Sequence, residues 1–105
     1  MKLTPENIDT SNNDKPYLQD LLREVKNNFE YNRTMTFKII EPKENGFIIK
    51  VGGLYGFIYY RQMPWKYNSI YFWHNVAEYL VGKVFSCKIR KLKKAPISII
   101  ITARE

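Results

Sequence analysis

Gly46-Phe47-Ile48-Ile49-Lys50-Val51-Gly52-Gly53-Leu54-Tyr55-Gly56-Phe57-Ile58-Tyr59-Tyr60 is the stretch that decides the fold. Two short runs of β-branched and aromatic residues flank Gly52-Gly53, where the chain must turn. Asn45-Gly46 marks another turn just upstream, at the end of Glu41-Pro42-Lys43-Glu44. The stretch therefore predicts a strand over Phe47–Val51 and a further strand over Leu54–Tyr60. Gly56, inside the latter, predicts a bulge or a sharp bend.

Working outward, Phe37, Ile39 and Ile40 make a preceding β-rich run that starts at Met35 and stops at Glu41-Pro42. On the other side, Gln62 to Leu80 is irregular and crowded with Pro64, Trp65, Tyr67, Tyr71, Phe72 and Trp73. A short helix is expected over His74–Leu80, with Asn75 as a cap and Gly82 closing it. From Val84 to Leu92, Phe85, Cys87 and Ile89 alternate with Ser86, Lys88 and Arg90, the period of a half-buried strand. Lys91, Lys93 and Lys94 read as a basic hairpin loop ending at Pro96, and Ile97–Thr102 as a last, β-branched strand.

The N-terminal third differs. Residues 1–15 are polar and read as a flexible arm. Asp14 is placed to cap a helix with Pro16 in its first turn. Leu18, Leu21, Leu22, Val25 and Phe29 recur at helical spacing against a polar complement. The domain organisation is then an arm over 1–15, an amphipathic helix over 16–33 ending among Asn27, Asn28 and Asn32, and a β unit over 34–105. A helix of about 13 residues is too short to be stable alone, so it must dock on the rest of the chain or on a partner.

The predicted class is mainly β. Five short strands with a helical crossover between the third and fourth is the order of an OB-type barrel. Gly46-Phe47-Ile48-Ile49-Lys50-Val51 followed by Gly56-Phe57-Ile58-Tyr59 resembles the S1 RNA-binding domain family, which opens its second strand with glycine and places glycine and two apolar residues in its third. Val81-Gly82-Lys83 with Phe85, Cys87 and Ile89 resembles that family's fourth strand, and Ile97–Thr102 its last. The likeness covers about residues 36–103. It implies an S1-like OB barrel that binds RNA. Where that family often has an exposed aromatic, this chain has Ile48. Where it often has histidine, the chain has Tyr59, whose ring can still stack on a base.

Charge points the same way. The net charge is +7, and residues 34–105 carry twelve basic and four acidic side chains against five and six in residues 1–33. A basic unit of this kind suits a polyanion, with nucleic acid first and an anionic membrane or an acidic protein behind it, although a basic surface also serves solubility alone. Aromatics make up 15% of the chain, eight of them Tyr, and tyrosines suit binding surfaces as well as half-wet cores.

Strand alternation groups the candidate site residues. Lys50 and Ile48 point away from Phe47, Ile49 and Val51. Tyr55, Phe57, Tyr59 and Arg61 point away from Leu54, Ile58 and Tyr60. Lys50, Tyr55, Phe57, Tyr59 and Arg61 are thus expected on one solvent face, with Lys88 and Arg90 extending it. Cations on phosphates and rings under bases are what holds single-stranded nucleic acid. The competing expectation puts Phe57 under the crossover and the tyrosines along the sheet edge. Most crossover aromatics are expected in the core.

An enzyme is not expected. His74 and Cys87 are the only residues of their kinds, and no metal-ligand cluster, phosphate-binding glycine loop or nucleophile elbow is present in the sequence. Cys87 falls on the apolar face of its strand. Glu41, Glu44, Glu78 and Glu105 show no pairing suited to acid-base work. Neither cofactor nor metal is expected, nor a membrane helix, which needs roughly 20 apolar residues. The lone cysteine and the lack of an apolar N-terminal leader fit a cytoplasmic protein. The expected function is a non-catalytic module for RNA or single-stranded DNA. The alternative is an interaction module or small inhibitory or accessory subunit docking on an acidic protein or nucleoprotein machine.

Overall fold

Gly52 and Gly53 take φ of 58° and 82°, a left-handed pair that twists a two-residue hairpin in the sense its strands require. In this computed structural model, which describes residues 14–65 and 69–104, the hairpin joins β2 (Gly46–Val51) to β3 (Leu54–Tyr59) with Val51 facing Leu54. β1 (Met35–Pro42) pairs antiparallel with β2 and also with the first part of β4 (Val84–Lys94). β5 (Ile97–Thr102) lies antiparallel to the rest of β4 and parallel to β3. The protein is mainly β, with five strands closed into one sheet in the order β1-β2-β3-β5-β4.

Alternation along each strand sends one set of side chains inward. Phe37 and Ile39 from β1, Phe47, Ile49 and Val51 from β2, and Ile58 from β3 meet Cys87, Ile89, Ile99 and Ile101 from β4 and β5 in a single core. The bulge in β1 leaves Ile40 as the extra residue between Ile39 and Glu41, and the bulge in β4 leaves Arg90 between Ile89 and Lys91.

Two helices cover opposite ends of the closed sheet. α1 (Asp14–Glu30) lays Leu21 and Val25 over the Gly52–Gly53 hairpin and buries Val25 completely. The helix that needed a surface finds it on its own chain. It is longer than the sequence predicts, since Asp14 is already inside it and Asn27 and Asn28 complete its last turn. Asn28 Nδ2 donates to the Glu24 carbonyl. Termination falls to Asn32, at φ 53°, where Asn32 N–H donates to the Phe29 carbonyl and Arg33 N–H to that of Asn28. α2 (Ile70–Leu80) covers the other end, where Trp73 stacks on Tyr60 at 5.4 Å and meets Phe47 edge-on. It begins earlier than expected, after Ser69, and Asn75 is an exposed residue of its body rather than a cap. Gly82, at φ 87°, follows the helix as predicted.

Three further expectations are corrected. Lys91, Lys93 and Lys94 belong to β4, which pairs with β5 as far as Lys94↔Ile97, so the basic run is strand and only Ala95-Pro96 turns. Six residue pairs with β5 outweigh the low β propensity of lysine. Gly56 carries no bulge, because the β2–β3 register runs unbroken through Ile49↔Gly56. Glycine stands there because β5 comes close, and a Cβ would lie 2.8 Å from the Ile99 carbonyl oxygen. Gly56→Ala is therefore expected to cost about 1–3 kcal/mol by forcing β3 and β5 apart, read as a lower urea midpoint. Finally, β3 ends at Tyr59, and Tyr60–Gln62 form a 3-10 turn. The arm expected over residues 1–15 falls outside the described residues as far as residue 13, as does Tyr67.

Candidate functional site

β2 and β3 present their outward side chains in register. Lys50 faces Tyr55 across the ladder, and its Nζ lies 5.3 Å from that ring's centroid. Ile48 faces Phe57. Tyr59 stands opposite Gly46, so no side chain shadows it from β2. Along β3, outward residues repeat every two positions, about 6.6 Å apart, and the Phe57 and Tyr59 rings meet edge-on at 5.0 Å. Arg61 lies on the 3-10 turn rather than on a strand, yet its guanidinium carbon still sits 5.4 Å from the Tyr59 ring centroid. The expected group of Lys50, Tyr55, Phe57, Tyr59 and Arg61 is therefore contiguous.

The rings are not equivalent. Tyr55 is 61% exposed and Tyr59 38%, so both offer a face to solvent. Phe57 is half-buried, lying over Gly46 and beside Ile100 of β5, and forms a floor between them. Each tyrosine carries a cation over its ring, an arrangement worth about 0.5–1 kcal/mol at an exposed site.

Lys88 and Arg90 are exposed on β4, two strands round from β3. They do not adjoin β3. Between them lies β5, whose Ile100 neighbours Phe57 on one side and Lys91 on the other, while Thr102 faces Lys88. The bulge at Arg90 is what brings Lys91 opposite Ile100. Lys91 and Ile100 thus join the surface although neither was expected there. Lys38, exposed and opposite Lys50 on β1, joins it too, and its alternation with Phe37 and Ile39 already signalled an outward side chain.

The remaining chemistry-bearing groups are occupied structurally. Burial pushes the Cys87 thiol up to about 12, which keeps it protonated and unreactive at neutral pH. Tyr60 is buried, its hydroxyl donates to the Lys43 carbonyl, and burial raises its pKa. His74 Nε2 lies 3.2 Å from the Glu44 carbonyl oxygen and ties α2 to the β1–β2 turn. Trp73 is core and Phe72 half-buried, but Trp65 is only partly covered and Tyr71 is exposed, so the crossover aromatics divide between core and surface. Where α1 meets the end of β4, the Lys26 ammonium beside Lys94 favours the neutral amine, which alone can accept its hydrogen bond and escapes its charge, and so holds Lys94 below the usual lysine range.

Among the described residues no three His, Cys, Asp or Glu side chains come together in a way that would hold a metal ion, and no helix is long and apolar enough to cross a membrane. Comparison with protein-family models finds no match, and comparison with curated proteins finds none either.

Proposed function

We propose that this chain is a non-catalytic module of the OB type, similar to S1 RNA-binding domains, that holds single-stranded RNA or DNA across β2 and β3. The observation that carries this reading is the row Tyr55, Phe57, Tyr59 on β3, with Lys50 and Arg61 over its two exposed rings. Rings at strand spacing accept successive bases, and cations beside each ring reach the phosphates that connect them. Lys38, Lys88, Arg90 and Lys91 widen the positive rim to either side.

Binding to RNA, single-stranded DNA and duplex DNA, measured side by side over a salt series, tests the reading. Single strands are expected to bind more tightly than duplex. The slope of log K against log salt is expected near −3, for about four phosphates each contributing roughly 0.7. Equal affinity for all three polymers would sink the stacking element, because a duplex hides its base faces.

A second reading is favoured by a different observation. Tyr71 and Tyr79 are exposed on the outer side of α2, next to an apolar groove lined by Trp65, Phe72, Val76 and Leu80. Exposed aromatics beside an apolar groove suit a protein partner. Absence of binding to every oligonucleotide at about 50 mM salt, where counterion release favours association, decides for this docking role.

A further inference from the structure

β4 changes partner midway. Its residues up to Cys87 pair with β1, at Cys87↔Met35, and those from Lys88 pair with β5, at Lys88↔Thr102. The start of β1 and the end of β5 part at this switch and leave a cleft of about 370 Å³. Thr34, Ser86 and Thr102 bring hydroxyls to it, and Lys88 and Arg104 bring cations. The described residues that line it include no carboxylate.

The cleft is held in place. Ala103 N–H donates to the Gln62 carbonyl at 2.8 Å, and the Thr102 hydroxyl donates to Gln62 Oε1. Arg104 N–H donates to Thr102 Oγ1 at 3.2 Å. Arg104 Nη1 donates to the Arg61 carbonyl at 2.9 Å. These bonds stitch the end of β5 to the 3-10 turn. They also set Arg104 beside Arg61, whose guanidinium covers Tyr59. A guanidinium has five N–H donors, so Arg104 keeps most of its own after that contact. Arg104 thus links the backbone of Arg61, whose side chain covers Tyr59, to the cleft that it lines together with Lys88.

The Thr102 proton is committed to Gln62, so the hydroxyls of Thr34 and Ser86, backed by two cations and with no carboxylate among the described lining residues, are the chemistry that receives a tetrahedral oxyanion. We propose that this cleft is a phosphate-binding site, placed to take a phosphate of the strand whose base lies on Tyr59. The extension to a strand rests on the function proposed above, whereas the affinity for a phosphate group does not.

The test uses the full chain and two probes, sodium phosphate and a short oligouridine. Sodium phosphate, against sodium chloride of matched ionic strength, is expected to shift the backbone amide resonances of residues 86–88 and 102–104 in a saturable way. Ser86→Asp, which puts a negative charge in the cleft on an exposed strand position, abolishes those shifts. Lys88→Gln weakens them, and both variants keep the wild-type spectrum elsewhere. Oligouridine affinity falls about tenfold in Ser86→Asp, and in Lys88→Gln the salt slope becomes shallower by about 0.7. Loss of oligouridine affinity identifies a strand phosphate as the ligand. Loss of the phosphate shifts with unchanged oligouridine affinity identifies free phosphate, and the site stands. No saturable shift beyond the chloride control, together with unchanged oligouridine affinity in Ser86→Asp, overturns the proposal. Tyr59→Ala separates the two readings. If it leaves oligouridine affinity intact while the phosphate shifts persist, the stacking face falls and the cleft remains.

Discussion

Replacing Tyr55 and Tyr59 together by alanine lowers affinity for single-stranded oligonucleotide about thirtyfold or more and leaves the fold intact. Each stacked base is worth about 1–3 kcal/mol, so two rings supply at least about 2 kcal/mol. Both rings stand outside the core on a sheet whose register is set by Gly52-Gly53 and by the inward apolar residues. Their removal is therefore expected to cost no more than about 1–2 kcal/mol, the worth of the two cation–ring contacts. Anisotropy titrations at low salt and urea melts of the same samples check both halves. Tyr55→Phe with Tyr59→Phe keeps the π-faces and is expected to bind within a few-fold of wild type. A double alanine variant that binds as well as wild type would remove β3 from the interface.

Trp73→Ala is expected to cost about 3–5 kcal/mol, the largest loss of stability from any single truncation discussed. Trp73 is 1% exposed and lies at the meeting of α2 with the sheet. It stacks nearly parallel on Tyr60, with 4° between the ring planes, and has Phe47, Phe72 and Trp65 around it. No neighbour is placed to fill the space an indole leaves, because Tyr60 is tied to the Lys43 carbonyl and Phe47 to its strand register. A small domain has about 5–15 kcal/mol of stability in all, so the variant is expected to unfold at much lower urea. Tyr71→Ala, on the same helix but 78% exposed, is the control and should shift the midpoint little. Equal midpoints for the two variants would mean that α2 does not hold the sheet closed.

The two experiments address different layers of the molecule. The core layer is built by residues that alternate inward, and its loss is read in urea. The outer layer is built by the residues between them, and its loss is read in binding. Ile48 belongs to the outer layer without a π-face. It sits opposite Phe57 and extends the apolar floor between Lys50 and Tyr59.

Much of the architecture was legible because local signals agreed. Gly52-Gly53 allowed only a turn, period-two alternation assigned each side chain of β2 and β3 to a face, and helical spacing marked the stripe of α1 that packs on the sheet through Leu21, Leu22, Val25 and Phe29, while Leu18 stays exposed. Turn chemistry and alternation are short-range properties, carried by neighbouring residues whatever the remainder of the chain does. Hence Lys50, Tyr55, Phe57 and Tyr59 could be placed on one surface before any long-range contact was known. Elsewhere long-range pairing prevailed. Lys91, Lys93 and Lys94 look like a solvated loop, but β5 supplies hydrogen bonds that keep them extended. Gly56 looks like a bulge, and its reason is the carbonyl of Ile99, more than forty residues away. Ile100 reaches the aromatic floor only because β5 inserts between β3 and β4. The phosphate cleft depends wholly on β4 changing partners at Cys87 and on the stitch from Arg104 to Arg61. Which strands become neighbours is settled by closing the sheet around one core, a condition on the whole chain that no window of it contains.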